Sequence, residues 1–258
     1  MMNFDERDAK EILDLAWLPA YENNMNSISY QMLMFNANLF ILENIEAFDF
    51  PLFGGVNTTF WAVVYRSLYE SCVMCAWRIA IDTDGDCLTI SRLKNAILQH
   101  VKSVDDRRRL KEELKRIDVG HKIKDIKDRI QLLRHRLFAH HVQFSESAAT
   151  QTKPSIPGVT LDDLRAVRDE VNEYISVLGF NTEYSQLPMD YDPNVIRPKD
   201  LDTRPDIVKI LDDIAMRSPI VNMVENEPDY WSAFKNDLTK EQIDKINYYR
   251  TMLKKPAV

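Results

Sequence analysis

Glycine is scarce in this chain, with six among 258 residues. A β-rich fold with tight turns needs more positions free to take positive φ, so the composition points to an all-α architecture. Cysteine is scarcer still: Cys72, Cys75 and Cys87 are too few for a disulfide framework in a chain this long. Cys72 and Cys75 have C-x-x-C spacing on a predicted helix. A zinc site needs two further ligands and only Cys87 lies near, so buried thiols are expected and no metal. The acidic stretch Asp82-Thr83-Asp84-Gly85-Asp86 is no calcium loop. An EF-hand places glycine sixth and glutamate twelfth, whereas here Gly85 is fourth and position twelve is Leu93. No apolar run approaches the length that spans a bilayer. The acidic start, Met1-Met2-Asn3-Phe4-Asp5-Glu6, lacks the layout of a signal peptide. A cytoplasmic protein without membrane, metal or cofactor is expected.

What the chain does have is enough apolar content, 45%, for a packed core. Its length suits one large domain or one domain with an appendage. The formal net charge of −7 opposes a long nucleic-acid track. The distribution is uneven. Arg92 to Arg136 carries fifteen Lys/Arg and seven Asp/Glu, a local +8, which leaves −15 on the remainder. A basic segment on an acidic chain fits a confined anion site. Most of its lysines read as a solvated, ion-paired face, with Arg107-Arg108-Arg109 set to pair with Glu112-Glu113 at i,i+4.

Residues 4–18 read as a short helix ending before Pro19. From Tyr21 to Phe48 there is neither proline nor glycine, and Ile28, Met32, Phe35, Leu39, Leu42 and Ile45 form the stripe of one long helix. After the break at Phe50-Pro51-Leu52-Phe53-Gly54-Gly55, Asn57 or Thr58 caps a helix reaching about Ile81, with Trp61, Val64, Leu68, Cys72, Cys75 and Ile79 facing inward. Thr89 caps a helix to about Val101, Ser103 to Ile117 forms a charged one, and the next ends near His141. A polar loop follows. Thr160-Leu161-Asp162-Asp163 resembles a capping box and opens a helix to about Leu178. Beyond Gly179, Pro188, Pro193, Pro198 and Pro205 punctuate an extended segment. Partial helix is expected over 201–216, and a final helix capped by Thr239. The organisation expected is a helical bundle over 1–180 and an extension over 181–258 that packs on the bundle or on a partner.

The reactive side chains concentrate at one place. Three of the five histidines and two arginines fall within positions 134 to 141. They close a helical pattern in which Ile123, Ile126, Ile130, Leu133 and Leu137 share one face. Arg134 lies among those apolar positions. A guanidinium cannot be neutralised, so a core-side arginine needs an anion, either a carboxylate of the chain or the phosphate of a ligand.

The run Arg134-His135-Arg136-Leu137-Phe138-Ala139-His140, at the end of a helix in an all-helical chain, resembles the signature of HEPN domains. The basic residue two after the arginine and the Ala-His pair are similar to the abortive-infection branch of that superfamily. The stretches Phe60–Leu68, Trp77–Asp82 and Leu88–Leu93 resemble the earlier helices of that branch, so the likeness covers roughly residues 20 to 180. One position departs: the residue after the arginine is usually Asn or Asp, and here it is His135. The resemblance implies a small helical bundle, many relatives of which are metal-independent ribonucleases. It also implies a homodimer in which both motifs line one cleft.

The residue types suit that chemistry. RNA carries its own nucleophile, the 2′-hydroxyl. Histidine exchanges protons near neutrality, and arginine presents a fixed charged fork to phosphate oxygens. DNA, lacking the 2′-hydroxyl, would be left untouched. Seven positions put Arg134 and His141 on one helix face, while His140 stands about 120° away on a straight helix. The family register nevertheless selects His140 as the catalytic histidine beside Arg134, with His141 as the alternative. His135 would orient substrate or share proton transfer, and Arg136 would contact phosphate. Any antitoxin would be a separate chain. Two other readings stand beside the nuclease. One is a noncatalytic pocket for RNA, a nucleotide or a partner protein. The other is an arginine–histidine cluster satisfied by carboxylates such as Glu43 or Glu70, with no ligand.

Overall fold

A computed structural model describes residues 7–53, 59–82, 87–117, 124–134, 158–180 and 204–258. Its regular elements among the described residues are helical, and the fold is all-α. The chain divides into two compact units: residues 1–39 with 68–190, and residues 40–67 with 191–258.

The first unit opens with a short helix α1 (Ala9–Ile12), capped by the Asp8 carboxylate, which accepts from the Lys10 amide. The helix expected over 4–18 stops there. Leu13 turns extended and pairs antiparallel with Val101, and the Asp14 and Lys102 amides bond to the His100 and Ile12 carbonyls. Pro19, expected to end a helix, sits instead in the first turn of α2 (Leu18–Ala47). A proline there forfeits no hydrogen bond, because the first amides of a helix have no intrahelical partner. Along α2 in this unit Tyr21, Met25, Ile28, Met32, Phe35 and Leu39 are buried at spacings of three and four. That row is one helical face and forms the spine of the unit's core.

Helix α4 (Thr59–Ala76) passes into a π-helical segment, Trp77–Ile81, closed by the Asp82 amide on the Trp77 carbonyl. Helix α5 (Ile90–His100) is capped by the Thr89 hydroxyl, as its sequence signals. Helix α6 (Val104–Ile117) inserts Leu110 and Leu114. Helix α7 (Lys124–Leu133) inserts Ile126, Ile130 and Leu133. Helix α8 (Leu161–Leu178) carries a complete Thr160–Asp163 capping box and buries Leu164, Val167, Val171 and Ile175. It packs on α5, α6 and the π segment. At its end Phe180, not Gly179, takes the left-handed conformation, with φ 51°. A phenylalanine there is strained, and the surrounding packing over-determines it. Its side chain is fully buried against Tyr21, whose hydroxyl donates to the Leu178 carbonyl at 2.9 Å.

The second unit contains α3 (Phe50–Phe53), α9 (Asp206–Arg217), α10 (Pro219–Asn226), α11 (Pro228–Phe234) and α12 (Lys240–Met252). Phe53, Ala215, Ile220, Val221, Trp231 and Ile246 form its core. Arg250 is fully buried within it. Its Nε donates to the Pro256 carbonyl, Nη1 to the Val221 carbonyl at 2.7 Å, and Nη2 to Glu225 at 2.6 Å. Every nitrogen of the fork has an acceptor, which a buried guanidinium requires. In this unit the outer part of α4 is less covered than its stripe suggested: Trp61 and Val64 are half-buried, and Phe60 and Val63 are exposed. No helix among the described residues is long and apolar enough to cross a membrane.

Candidate functional site

The site grows from α7. Ile126, Ile130 and Leu133 seat that helix against the π segment, where Trp77, Ile79 and Ala80 are buried. A π segment widens the turn and shifts the register of the side chains that follow, and such segments are frequent at functional sites. Trp77 opens that segment, and its indole lies beneath the residue that follows α7.

Polar clamps hold α7 on its other side. Arg129 makes a bidentate pair with Asp163, both contacts 2.7 Å, and donates from Nη1 to the Gly158 carbonyl at 2.8 Å. Asp163 also accepts from the Thr160 amide at 2.8 Å, so one carboxylate caps α8 and anchors α7. Burial pushes the Asp163 carboxyl up. Hydrogen bonds from Arg129 and Thr160 outweigh it and leave the group below the usual aspartate value. Arg129 is held in its charged form, its value raised above the usual arginine range by the bond to Asp163. Lys127 adds a looser pair to Glu170, 3.6 Å. The Tyr69 hydroxyl donates to the Val159 carbonyl at 2.7 Å and fixes the strand of chain entering α8.

Arg134 follows the last residue of α7 in a wider, π-type turn and is half-buried. Its guanidinium carbon lies 5.0 Å from the centroid of the Trp77 ring. The face of an indole attracts a cation and restricts the plane of the fork, by about 1 kcal/mol at a partly exposed site. The arginine expected to need an anion therefore also has an aromatic floor. A cation held in this way is positioned but still charged, as a phosphate-binding group must be.

Of the five residues singled out from the sequence, the structure describes Arg134. His135, Arg136, His140 and His141 lie outside the described residues. Sequence reasoning missed Trp77 as the floor of Arg134, and it missed the Arg129–Asp163 clamp. A faint signal existed for the clamp, since Asp163 stands at the acidic position of a capping box already legible in the sequence. Cys72 is buried and Cys75 and Cys87 are half-buried, and burial pushes the Cys75 thiol up, as expected of packed thiols. No cluster of three potential metal ligands occurs among the described residues.

An all-helical bundle that ends one helix on a positioned arginine, at the head of an Arg–His run, has the form of a HEPN domain. The family model for the AbiU2 HEPN domain matches residues 25–195, about two thirds of the chain, and the chain belongs to that abortive-infection-related family. Comparison with curated proteins gives no match, and no solved structure matches.

Proposed function

We propose that this protein is a metal-independent RNA endonuclease, the toxic component of a phage-defence or toxin–antitoxin system. The observation that carries the reading is the half-buried Arg134 guanidinium seated on Trp77, at the start of the Arg–His run, in a chain of the AbiU2 family. In the proposed reaction the ribose 2′-oxygen attacks the adjacent phosphorus as its proton passes to a base. The bond to the 5′-oxygen then breaks and that oxygen receives a proton. The products are a 2′,3′-cyclic phosphate and a 5′-hydroxyl. His140 moves the proton, with His141 the alternative, at a typical advantage of roughly 10² to 10⁴ in rate. Arg134 stabilises the charge that gathers on the phosphoryl oxygens. His135 orients the substrate or shares the proton transfer, and Arg136 contacts a neighbouring phosphate. Two copies form a homodimer whose motifs face one cleft, so that the arginine of one chain serves the histidine of the other.

The test is cleavage of RNA in chelator by the purified protein, with the ends identified. Arg134→Ala and His140→Ala each abolish cleavage while circular dichroism stays that of the wild type. Full activity in both variants ends the reading. A second reading, a noncatalytic RNA- or nucleotide-binding module, draws on His135 at the position usually held by Asn or Asp. A purified dimer that binds nucleotide tightly and leaves RNA whole would establish it.

A further inference from the structure

Helix α6 is dense in charge, and three of its four carboxylates are already engaged. Asp106 accepts both ends of the Arg7 fork, at 2.8 and 3.2 Å. Asp105 pairs with Arg108 at 3.0 Å, and Glu113 pairs with Arg116 at 2.8 Å. Asp106 and Glu113 are thus committed away from the groove, and Asp105 is committed to Arg108. Glu112 is the carboxylate left among Val104, Arg107, Arg108, Lys111 and Lys115, which line one shallow groove with it. Among the described residues no carboxylate stands within 4.0 Å of Arg107, Lys111 or Lys115.

These three cations fall at i, i+4 and i+8, on one face, with each step rising about 6 Å along the axis. That interval is comparable to the spacing of successive phosphates in an extended single strand. Arg107 is not free to swing. Its Nη2 donates to the Val101 carbonyl at 2.9 Å and to the Gln99 carbonyl at 3.3 Å, at the C-terminal end of α5. Carbonyls orient a guanidinium without cancelling its charge. Lys111 and Lys115 are exposed. The stripe therefore has one fixed cation and two adaptable ones, and the groove has no aromatic side chain on which a base could stack.

We infer that this face of α6 is a short phosphate track that holds single-stranded RNA through its backbone, without sequence preference. The inference deepens the nuclease reading by giving the substrate a docking surface apart from Arg134. A track of three phosphates fits a chain of net charge −7 better than an extended basic surface would.

The experiment titrates a fluorescein-labelled, mixed-sequence RNA of about 12 nucleotides into the full-length Arg134→Ala protein, so that the probe stays whole. Anisotropy is read between about 50 and 200 mM KCl. Adding Lys111→Gln and Lys115→Gln weakens binding about tenfold at the lowest salt and flattens the slope of log K against log salt by about 1.4, or 0.7 per phosphate lost. Lys235→Gln with Lys240→Gln removes the same charge elsewhere and leaves the slope at its parent value. Circular dichroism verifies that both double variants stay folded. An unchanged slope in the stripe variant overturns the track, as does an equal loss in the control. Loss of affinity for poly-L-glutamate without loss for RNA also overturns it and assigns the face to an acidic protein. The two readings fail separately. Cleavage by the wild type with an unaltered slope retires the track alone, and RNA held by the stripe but left uncut by the wild type retires the nuclease alone.

Discussion

Replacing Asp163 with asparagine isolates the anchor of α7. The substitution keeps a side-chain oxygen for the Thr160 amide, so the cap on α8 survives. It removes the charge that faces Arg129. The pair is bidentate, 2.7 Å at each contact, with side-chain exposures of 30% and 14%. Hydrogen bonds to charged groups contribute roughly 1.5 to 3 kcal/mol each when buried, and partial exposure reduces the two together to about 2 kcal/mol. That loss opens α7 locally about thirtyfold more often, since 1.4 kcal/mol is a factor of ten. Hydrogen exchange of a peptide covering 124–133 reads it directly. Asp163→Ala also removes the acceptor of the Thr160 amide, one arm of the capping box, and costs up to about 1 kcal/mol more, while the Thr160 hydroxyl still accepts from the residue 163 amide. Acid should mimic the asparagine. Because the folded Asp163 sits below the ordinary value of about 3.9, its contribution is complete above that pH and is lost as pH falls through the folded value. Wild-type protection of α7 should therefore decline in that acid window, and the asparagine variant should lack this component. Equal exchange in Asp163→Asn and wild type at neutral pH would refute the clamp.

Two further outcomes follow from contacts elsewhere. Arg250→Met strips the acceptors Val221, Pro256 and Glu225 of their buried donor and lowers the stability of the second unit by about 3 kcal/mol, seen as a lower urea midpoint; an unchanged midpoint contradicts it. Bonds from Arg250, then Lys255, hold the Glu225 carboxyl below its ordinary range. Its stabilising contribution is thus present above that range and lost on acidification, and Glu225→Gln should abolish that part of the acid profile. Tyr21→Phe deletes the bond to the Leu178 carbonyl within a buried contact and costs about 1 kcal/mol, measured by thermal denaturation; a loss below a few tenths means the carbonyl finds another donor.

Local signals proved the most readable. Thr89, Thr160 with Asp163, and Thr239 all cap the helices that they announce, because a cap depends on residues two or three apart. Pro19 misled because proline both stops a preceding helix and starts the next, and only the rest of the chain decides between them. On α6, Arg108 turns back to Asp105 rather than forward to Glu112, since aspartates in the first turn compete for it. The π segment was illegible to a 3.6-residue template, because the buried Cys72, Ala76, Ile79 and Ala80 still recur at spacings of three and four. The stripe of α2 runs unbroken from Ile28 to Ile45, so nothing in the sequence marks the passage at 39–40 from one unit to the other. Arg134 was conspicuous as a cation among isoleucines and leucines. Its aromatic floor is 57 positions away, and contacts at that separation leave no mark in a single sequence.

That floor yields a graded prediction. If Trp77 positions Arg134, the effect of changing it should follow the attraction of each side chain for a cation, not its bulk alone. Indole binds a cation more strongly than benzene does, and leucine has no π face. Trp77→Leu forfeits about 1 kcal/mol of orientation and should lower the RNA cleavage rate at saturation about fivefold to tenfold, with little change in KM. Trp77→Phe should recover most of that loss. Both variants also trade a buried indole for a smaller side chain, so both should melt earlier by similar amounts. The readouts therefore separate: stability tracks the lost volume, while the catalytic step tracks the ring. Equal cleavage by the leucine and phenylalanine variants, with Arg134→Ala inactive, would mean that the indole supports the core beside α7 and leaves the guanidinium to be aimed by other groups.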